Sequence, residues 1–289
     1  MTEDRFAGVG RVYGTVDAGR LAGLHICVVG IGGVGSWTAE ALARTGVGRV
    51  TLIDNDDVAE SNINRQVHAL GDTIGRQKVA VMKERMLAIN PMMGVEAIDD
   101  FLTMATMETY LLRGYHCVVD AIDSIKFKTA LIQTCRRHRV PVVVTGGAGG
   151  KRDPSRIRIA DLSRTCNDAL AARVRKQLRQ DYNFPRNPKR PFGVPCVFST
   201  EAPVYPRADG SVSCAKPGIH GVSLDCSFGY GAVSTVTATF GLFAAATAME
   251  RALKQCGLLE SIAPTADAGP RAPEGRGREG GCFPPRRPI

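Results

Sequence analysis

The chain has 289 residues, 44% of them hydrophobic and 22% charged, the balance of a globular protein with one large or two small α/β domains. Its nine cysteines are odd in number and none forms a C-x-x-C pair, which excludes a zinc ribbon, a thioredoxin-type redox motif and a disulfide framework. The net charge of +9 is concentrated, because residues 136–193 carry fifteen Lys and Arg against four Asp; such a block attracts polyanions, nucleic acid first and an anionic membrane second.

In chain order, residues 1–23 read as an N-terminal arm with a short helix carrying Arg5, Arg11 and Arg20. Met1-Thr2-Glu3-Asp4 is acidic and lacks an apolar run, so a secretory signal is excluded and a cytoplasmic location is expected. An apolar strand at 26–29 ends in Gly30, Gly32, Gly33 and Gly35; a helix at 37–45 follows, then a strand at 50–53 closed by Asp54. Strand, glycine turn, helix, strand and acid make the dinucleotide-binding βαβ unit. Glycines let the backbone approach phosphate oxygens, the helix start offers free N–H groups, and Asp54 is placed for two ribose hydroxyls.

A polar loop at 55–66 leads to a helix at 76–89, ended by Asn90-Pro91. Then come a strand at 95–98, a helix at 106–113, and a buried strand at 117–122 that ends at Asp123. A helix at 126–137 and a strand at 140–145 follow, closed by Gly146-Gly147-Ala148-Gly149-Gly150. This alternation predicts an α/β fold, a Rossmann-like mostly parallel sheet with helices on both faces. Beyond it the spacing predicts a helix over 168–180, a Pro/Arg/Asn-rich loop over 184–195, a strand at 197–199 and a loop over 208–216. Residues 226–249 are uncharged and rich in Gly, Ala, Ser and Thr; they read as a buried helix in preference to a membrane span, since small residues insert weakly. From 263 onward Pro, Gly and Arg dominate, the composition of a disordered tail.

Arg65 and Lys78 follow the second strand, and two cations near a glycine loop suit a triphosphate better than NAD. Asp123 is placed to hold magnesium. No Walker-A motif occurs.

Five ordered motifs carry a family resemblance: Gly-x-Gly-Gly-Val-Gly-Ser; Gly46-Val-Gly-x-Val-x-Leu-Ile-Asp54; Ser61-Asn-x-x-Arg65-Gln66; Gly75-x-x-Lys78; and Asp120-Ala-Ile-Asp123. Residues 5–150 strongly resemble the ThiF, MoeB and ubiquitin-activating-enzyme family, and the likeness extends weakly to about 255. The resemblance implies an adenylation fold that binds ATP and magnesium and adenylates a carboxylate. Gly30, Gly32, Gly33 and Gly35 would cradle ATP, with Asp54 holding its ribose and Asp56 a further nucleotide contact. Asn62, Arg65 and Lys78 would bind the phosphates and Asp123 the metal, so that Arg65, Lys78 and Asp123 carry the catalysis. Arg11, in place of a missing family arginine at Gly8, would reach a partner's ATP across a homodimer. Each residue also has a structural reading: Asn62 as a loop cap, Arg65 as a surface ion pair, Lys78 as a solvated helix residue.

Two departures sharpen the resemblance. The zinc cysteines of sulfur-carrier-activating members are missing, and no cysteine matches their thioester motif, the nearest being Cys166 and Cys196. The opening Arg5-Phe6-x-Gly-x-x-Arg11-x-Tyr13-Gly14, the region from Thr145 to Pro154 and the basic middle look like the branch that dehydrates threonylcarbamoyladenosine in tRNA. That branch adenylates the substrate's own carboxylate, and an internal nucleophile displaces AMP, so no catalytic cysteine is needed. Lys151, Arg152, Arg173, Arg175 and Arg179 are then the expected tRNA contacts. The expected organisation is an arm at 1–23, an ATP-binding domain at 24–150, a basic extension with a C-terminal helix of the same fold at 151–260, and a tail at 261–289. A sodium or potassium ion at Gly146–Gly150, a cysteine-desulfurase or other sulfur-transfer partner, and membrane contact through residues 226–249 stay open. The competing readings are adenylation of a Gly-Gly-ended ubiquitin-like sulfur carrier, and an NAD-dependent or non-catalytic Rossmann protein with a basic RNA-binding face.

Overall fold

A computed structural model of the chain describes residues 3–207, 209–215 and 231–256. Two helices form the arm, α1 (Glu3–Tyr13) and α2 (Thr15–Leu21). The repeating unit follows as β1 (His25–Val29), α3 (Gly35–Arg44), β2 (Arg49–Ile53), α4 (Lys78–Ile89), β3 (Gly94–Ile98), α5 (Met107–Leu111), β4 (Cys117–Asp120), α6 (Ile125–Arg137) and β5 (Val142–Thr145). The rest comprises β6 (Ile157–Asp161), α7 (Ala169–Asp181), β7 (Pro195–Ser199), β8 (Tyr205–Pro206), β9 (Val212–Ser213) and α8 (Ser234–Gln255).

Seven strands form one sheet in the order β3-β2-β1-β4-β5-β7-β6, parallel except for the β6–β7 pair at the edge. The strand order reverses between β1 and β4, and a ligand crevice opens at such a switch point, outside the strands' carboxyl ends. Alternate residues serve opposite faces. Ile26, Val28, Val50, Leu52 and Val119 pack with α3, α4 and α8, while Cys27, Val29, Ile53, Val118 and Val144 pack with α5, α6 and α7.

The small residues of α8 have a packing cause. A Cβ at Gly241 would lie 2.6 Å from Val34 O and 2.7 Å from Trp37 Cβ, so α8 crosses α3 almost in backbone contact. Thr38 Oγ1 adds a hydrogen bond to Gly241 O at 3.2 Å. Among the described residues no helix is long and apolar enough to cross a membrane.

The structure corrects four boundaries. Strand β4 ends at Asp120, leaving Asp123 in the loop that follows. Strand β6 lies where only a basic stretch was expected, although Ile157-Arg158-Ile159-Ala160 alternates with a strand's period. Val212–Ser213 pairs with Tyr205–Pro206 inside the expected loop over 208–216. Helix α8 starts at Ser234, later than the 226 expected, and runs to Gln255; residues 226–230 and the tail expected at 261–289 lie outside the described residues.

Candidate nucleotide-binding cleft

A cleft of about 940 Å³ lies along the carboxyl ends of β1, β2, β4 and β5, at the switch point. Gly30, Gly32 and Gly33 line one end. Gly30 has φ of 87°, which only glycine adopts freely there. A Cβ at Gly35 would fall 1.7 Å from Gly30 O, so this glycine seats α3 against the end of β1. At Gly32 the nearest atom to a new Cβ is 4.0 Å away, which leaves open cleft above the loop.

Asp54 ends β2 and locks the turn. Its Oδ2 accepts from Ile31 N at 2.5 Å and its Oδ1 from Asp56 N at 2.9 Å, and burial pushes its carboxyl up. Lys78 is buried at the start of α4, with Nζ 2.7 Å from Asp56 Oδ2. The structural reading of Asn62 is realised, since its Oδ1 accepts from Ala59 N at 3.1 Å; the residue still lines the cleft. Arg65 is held by its main chain, whose carbonyl accepts from Trp37 Nε1 at 3.0 Å and Thr237 Oγ1 at 3.3 Å. Its guanidinium donates to Ser61 O and Asn64 Oδ1 on the cleft wall, where a surface ion pair was the alternative. Gln66 is buried beside it, and its Oε1 has no partner among the described residues.

Asp123 faces the cleft, and its carboxylate has no hydrogen-bond or ion-pair partner among the described residues. Its loop is anchored from beneath. Lys128 Nζ donates to Asp120 Oδ1 at 2.8 Å and to Ile122 O at 2.8 Å, with both charged groups buried. Burial pushes the Asp120 carboxyl up, and the Lys128 ammonium opposes that shift. Lys128 escaped the sequence reading, yet a signal existed: it occupies the apolar stripe of α6 with Leu131, Ile132 and Cys135.

The cleft continues past β5 along Gly146–Gly149, Asn167, Asp168, Leu170 and Arg173. Asp168, the N-cap of α7, accepts from Ala171 N at 2.8 Å and from Gly147 N at 2.9 Å, tying the glycine-rich turn to the helix. Gly146 leaves no room beside it, because a Cβ would lie 1.9 Å from Asp168 Oδ2. Lys151 is 3% exposed, its ammonium held by the carbonyls of Asn167, Ser199 and Glu201. It therefore belongs to the cleft wall and not to an outer basic face, and burial pulls its pKa down.

The other expected RNA contacts divide. Arg173 is exposed at the cleft and Arg152 is exposed beside it. Arg175 binds Thr165 Oγ1, while Arg179 donates to Pro185 O and stacks over Phe192, so both are engaged in holding α7 and its following loop. Arg11 is exposed on α1 and does not line the cleft. Cys166 is exposed and Cys196 is buried. Among the described residues no group of three or more His, Cys, Asp or Glu is arranged to hold a metal.

The chain as a whole is similar to known proteins in sequence and in fold. The sequence model of the ThiF family matches residues 7–266. The tRNA threonylcarbamoyladenosine dehydratase of Escherichia coli K12 is 51% identical over 248 residues, covering 86% of this chain and 92% of that protein. The protein of the same description from Haemophilus influenzae is 48% identical, covering 88% and 95%. The crystal structure of the E. coli enzyme in complex with ATP superposes with a TM-score of 0.78 at 46% identity, covering 88% of this chain and 96% of that one.

Proposed function

The chain belongs to the ThiF family, and from that premise we propose that it uses ATP to dehydrate N6-threonylcarbamoyladenosine in tRNA. The observation that carries the reading is one continuous cleft, with a glycine loop, Asp54, Arg65 and Lys78 at one end and Lys151 and Arg173 at the other. In this reading a nucleotide and an acceptor carboxylate meet in a single site, with Arg65 and Lys78 facing the one and the exposed Arg173 the other.

In this reading the glycine loop and the start of α3 take the phosphates, and Asp54 takes the ribose hydroxyls. Asn62, Arg65 and Lys78 face the phosphates. Lys78 leaves Asp56 for the more charged ligand, so its buried ammonium keeps an anionic partner throughout. The carboxylate oxygen of the substrate attacks the α-phosphorus and the bond to pyrophosphate breaks. An internal nucleophile of the substrate then attacks the acyl carbon, AMP leaves, and one proton is released as the ring closes. Relative to the starting nucleoside one water is lost, its oxygen departing in AMP.

Magnesium fits the site. This ion is usually held by one or two carboxylates together with substrate phosphates and water. Asp123 offers one unpartnered carboxylate on a loop that Lys128 fixes. When bound, magnesium neutralises charge that develops on the phosphates. The reading extends to a homodimer in which the exposed Arg11 reaches the partner copy's cleft, to residues 151–260 forming part of the same fold, and to a cytoplasmic enzyme.

Exchange of labelled pyrophosphate into ATP tests the acceptor. The reading expects exchange to be stimulated by tRNA bearing threonylcarbamoyladenosine, and not by the same tRNA lacking that group. Stimulation by a Gly-Gly-ended carrier protein alone would transfer the activity to the sulfur-carrier alternative.

A further inference from the structure

The helices α6 and α7 pack side by side on one face of the sheet, and both begin at the cleft: Ile125 and Phe127 line it from α6, and Leu170 and Arg173 from α7. Each is 13 residues long, so their far ends lie roughly 20 Å away at 1.5 Å per residue. There a second groove of about 320 Å³ opens between them, lined by Gln133, Arg136, Arg137, Tyr182, Asn183 and Phe184.

The surface joining cleft and groove is basic. On α7 the exposed Arg173, Lys176 and Gln180 share a face, by spacings of three and four residues. On α6 the exposed Lys126 and Arg137 are joined along one face by the half-exposed Gln133. Arg139 is exposed just beyond α6, and Arg186, Lys189 and Arg190 on the loop after α7. The acidic side chains on or beside the pair are Asp123, exposed just before α6, Asp168, the buried N-cap of α7, Asp181, exposed at the end of α7, and Glu108, which faces His138 at 3.4 Å; the exposed cations outnumber them. Arg136 stacks over Phe184 at 4.5 Å and so fixes the groove wall. Arg137 and Lys176 have no hydrogen-bond or ion-pair partner among the described residues, so both charges are available to a ligand.

We infer that this α6–α7 face, ending in the Arg137–Tyr182 groove, is the docking surface for the stem of the RNA whose loop base enters the cleft. The inference rests on the tRNA reading above. Duplex RNA is recognised chiefly through phosphate and ribose hydroxyl contacts, which cations, amides and a tyrosine hydroxyl supply. A membrane would need exposed apolar side chains to insert; the groove's Phe184 is buried beneath Arg136, and its other groups are amides, arginines and a tyrosine. A substrate anchored at both ends of one helix pair also presents its base in a fixed direction, which a cleft contact alone does not enforce.

The test is binding of an anticodon stem-loop RNA, and of its single-stranded loop alone, to the full chain and to its Arg137→Gln/Lys176→Gln variant, across a salt series. The wild type should hold the stem-loop more tightly than the loop. The variant should lose on the order of tenfold for the stem-loop, with a salt slope shallower by about 1.5, while its affinity for the loop, its ATP binding and its melting temperature stay put. Equal stem-loop affinity and slope in a variant that folds overturns the inference and leaves the tRNA reading standing. If the wild type binds neither RNA, or only vesicles of anionic lipid, the tRNA reading falls with it.

Discussion

Lys128 Nζ lies 2.8 Å from Asp120 Oδ1 beneath the loop that carries Asp123, with the two side chains 2% and 0% exposed. The ammonium also binds Ile122 O, so one buried cation sets the path of the chain from strand end to cleft. Lys128→Met strands a buried carboxylate and should cost about 3–5 kcal/mol of stability in urea denaturation. Adding Asp120→Asn should restore part of that loss. A Lys128→Met protein as stable as wild type would show that the pair does not hold the loop.

The glycines of the first turn should separate into binding and packing roles. Gly35→Ala forces a Cβ against Gly30 O and should destabilise the fold by about 1–3 kcal/mol. Gly32→Ala meets open space and should leave stability within about 0.5 kcal/mol while weakening ATP binding, because its methyl projects where phosphate must approach. Calorimetric titration with ATP, alongside thermal melts, distinguishes the two; equal effects would remove the phosphate from this loop.

The repeating βαβ core was legible because its strands are buried on both faces, and hydrophobic runs bounded by glycine and acid leave little choice. Asp54, Arg65, Lys78 and Asp123 were found by spacing, and the structure brings them to one cleft. Lys128 and Asp168 were not found as parts of the site. Their work is to hold loops from below, through contacts between distant segments that no local pattern encodes. Lys151 was read as an RNA contact because charge was counted along the chain; the carbonyls of Asn167, before α7, and of Ser199 and Glu201, at and just past the end of β7, hold it buried.

His68 should make stability depend on pH. It is 1% exposed with both ring nitrogens unpartnered among the described residues, and burial pulls its pKa down to about 4 from 6.5. Between those values the unfolded chain binds the proton and the folded one does not. Its contribution is therefore complete above pH 6.5 and declines as pH falls toward about 4. His25 is pulled down to about 4 as well, whereas Asp54, Asp120 and Asp168 are pushed up and act in the opposite sense. Comparing His68→Leu with wild type isolates the histidine: the variant should lose less melting temperature between pH 7 and 5. Parallel pH profiles would contradict the assignment.

Thiol chemistry should be superficial. Cys27, Cys117, Cys135 and Cys196 are buried and their thiols are pushed up, that of Cys117 to about 12. Among the described residues only Cys166, Cys214 and Cys256 are exposed. Maleimide on the native protein should label those three, and Cys166→Ser should keep full turnover, since an internal nucleophile needs no thioester. Loss of turnover in Cys166→Ser would point to a covalent acyl-enzyme.

The most direct test is nucleoside mass analysis of tRNA incubated with the protein, ATP and magnesium, with AMP measured in the same tube. The account expects threonylcarbamoyladenosine to be converted to a product lighter by one water, with one AMP per nucleoside converted, and both signals to vanish in a folded Asp123→Ala variant. An unchanged nucleoside in the presence of wild-type protein, or full conversion by Asp123→Ala, would contradict it.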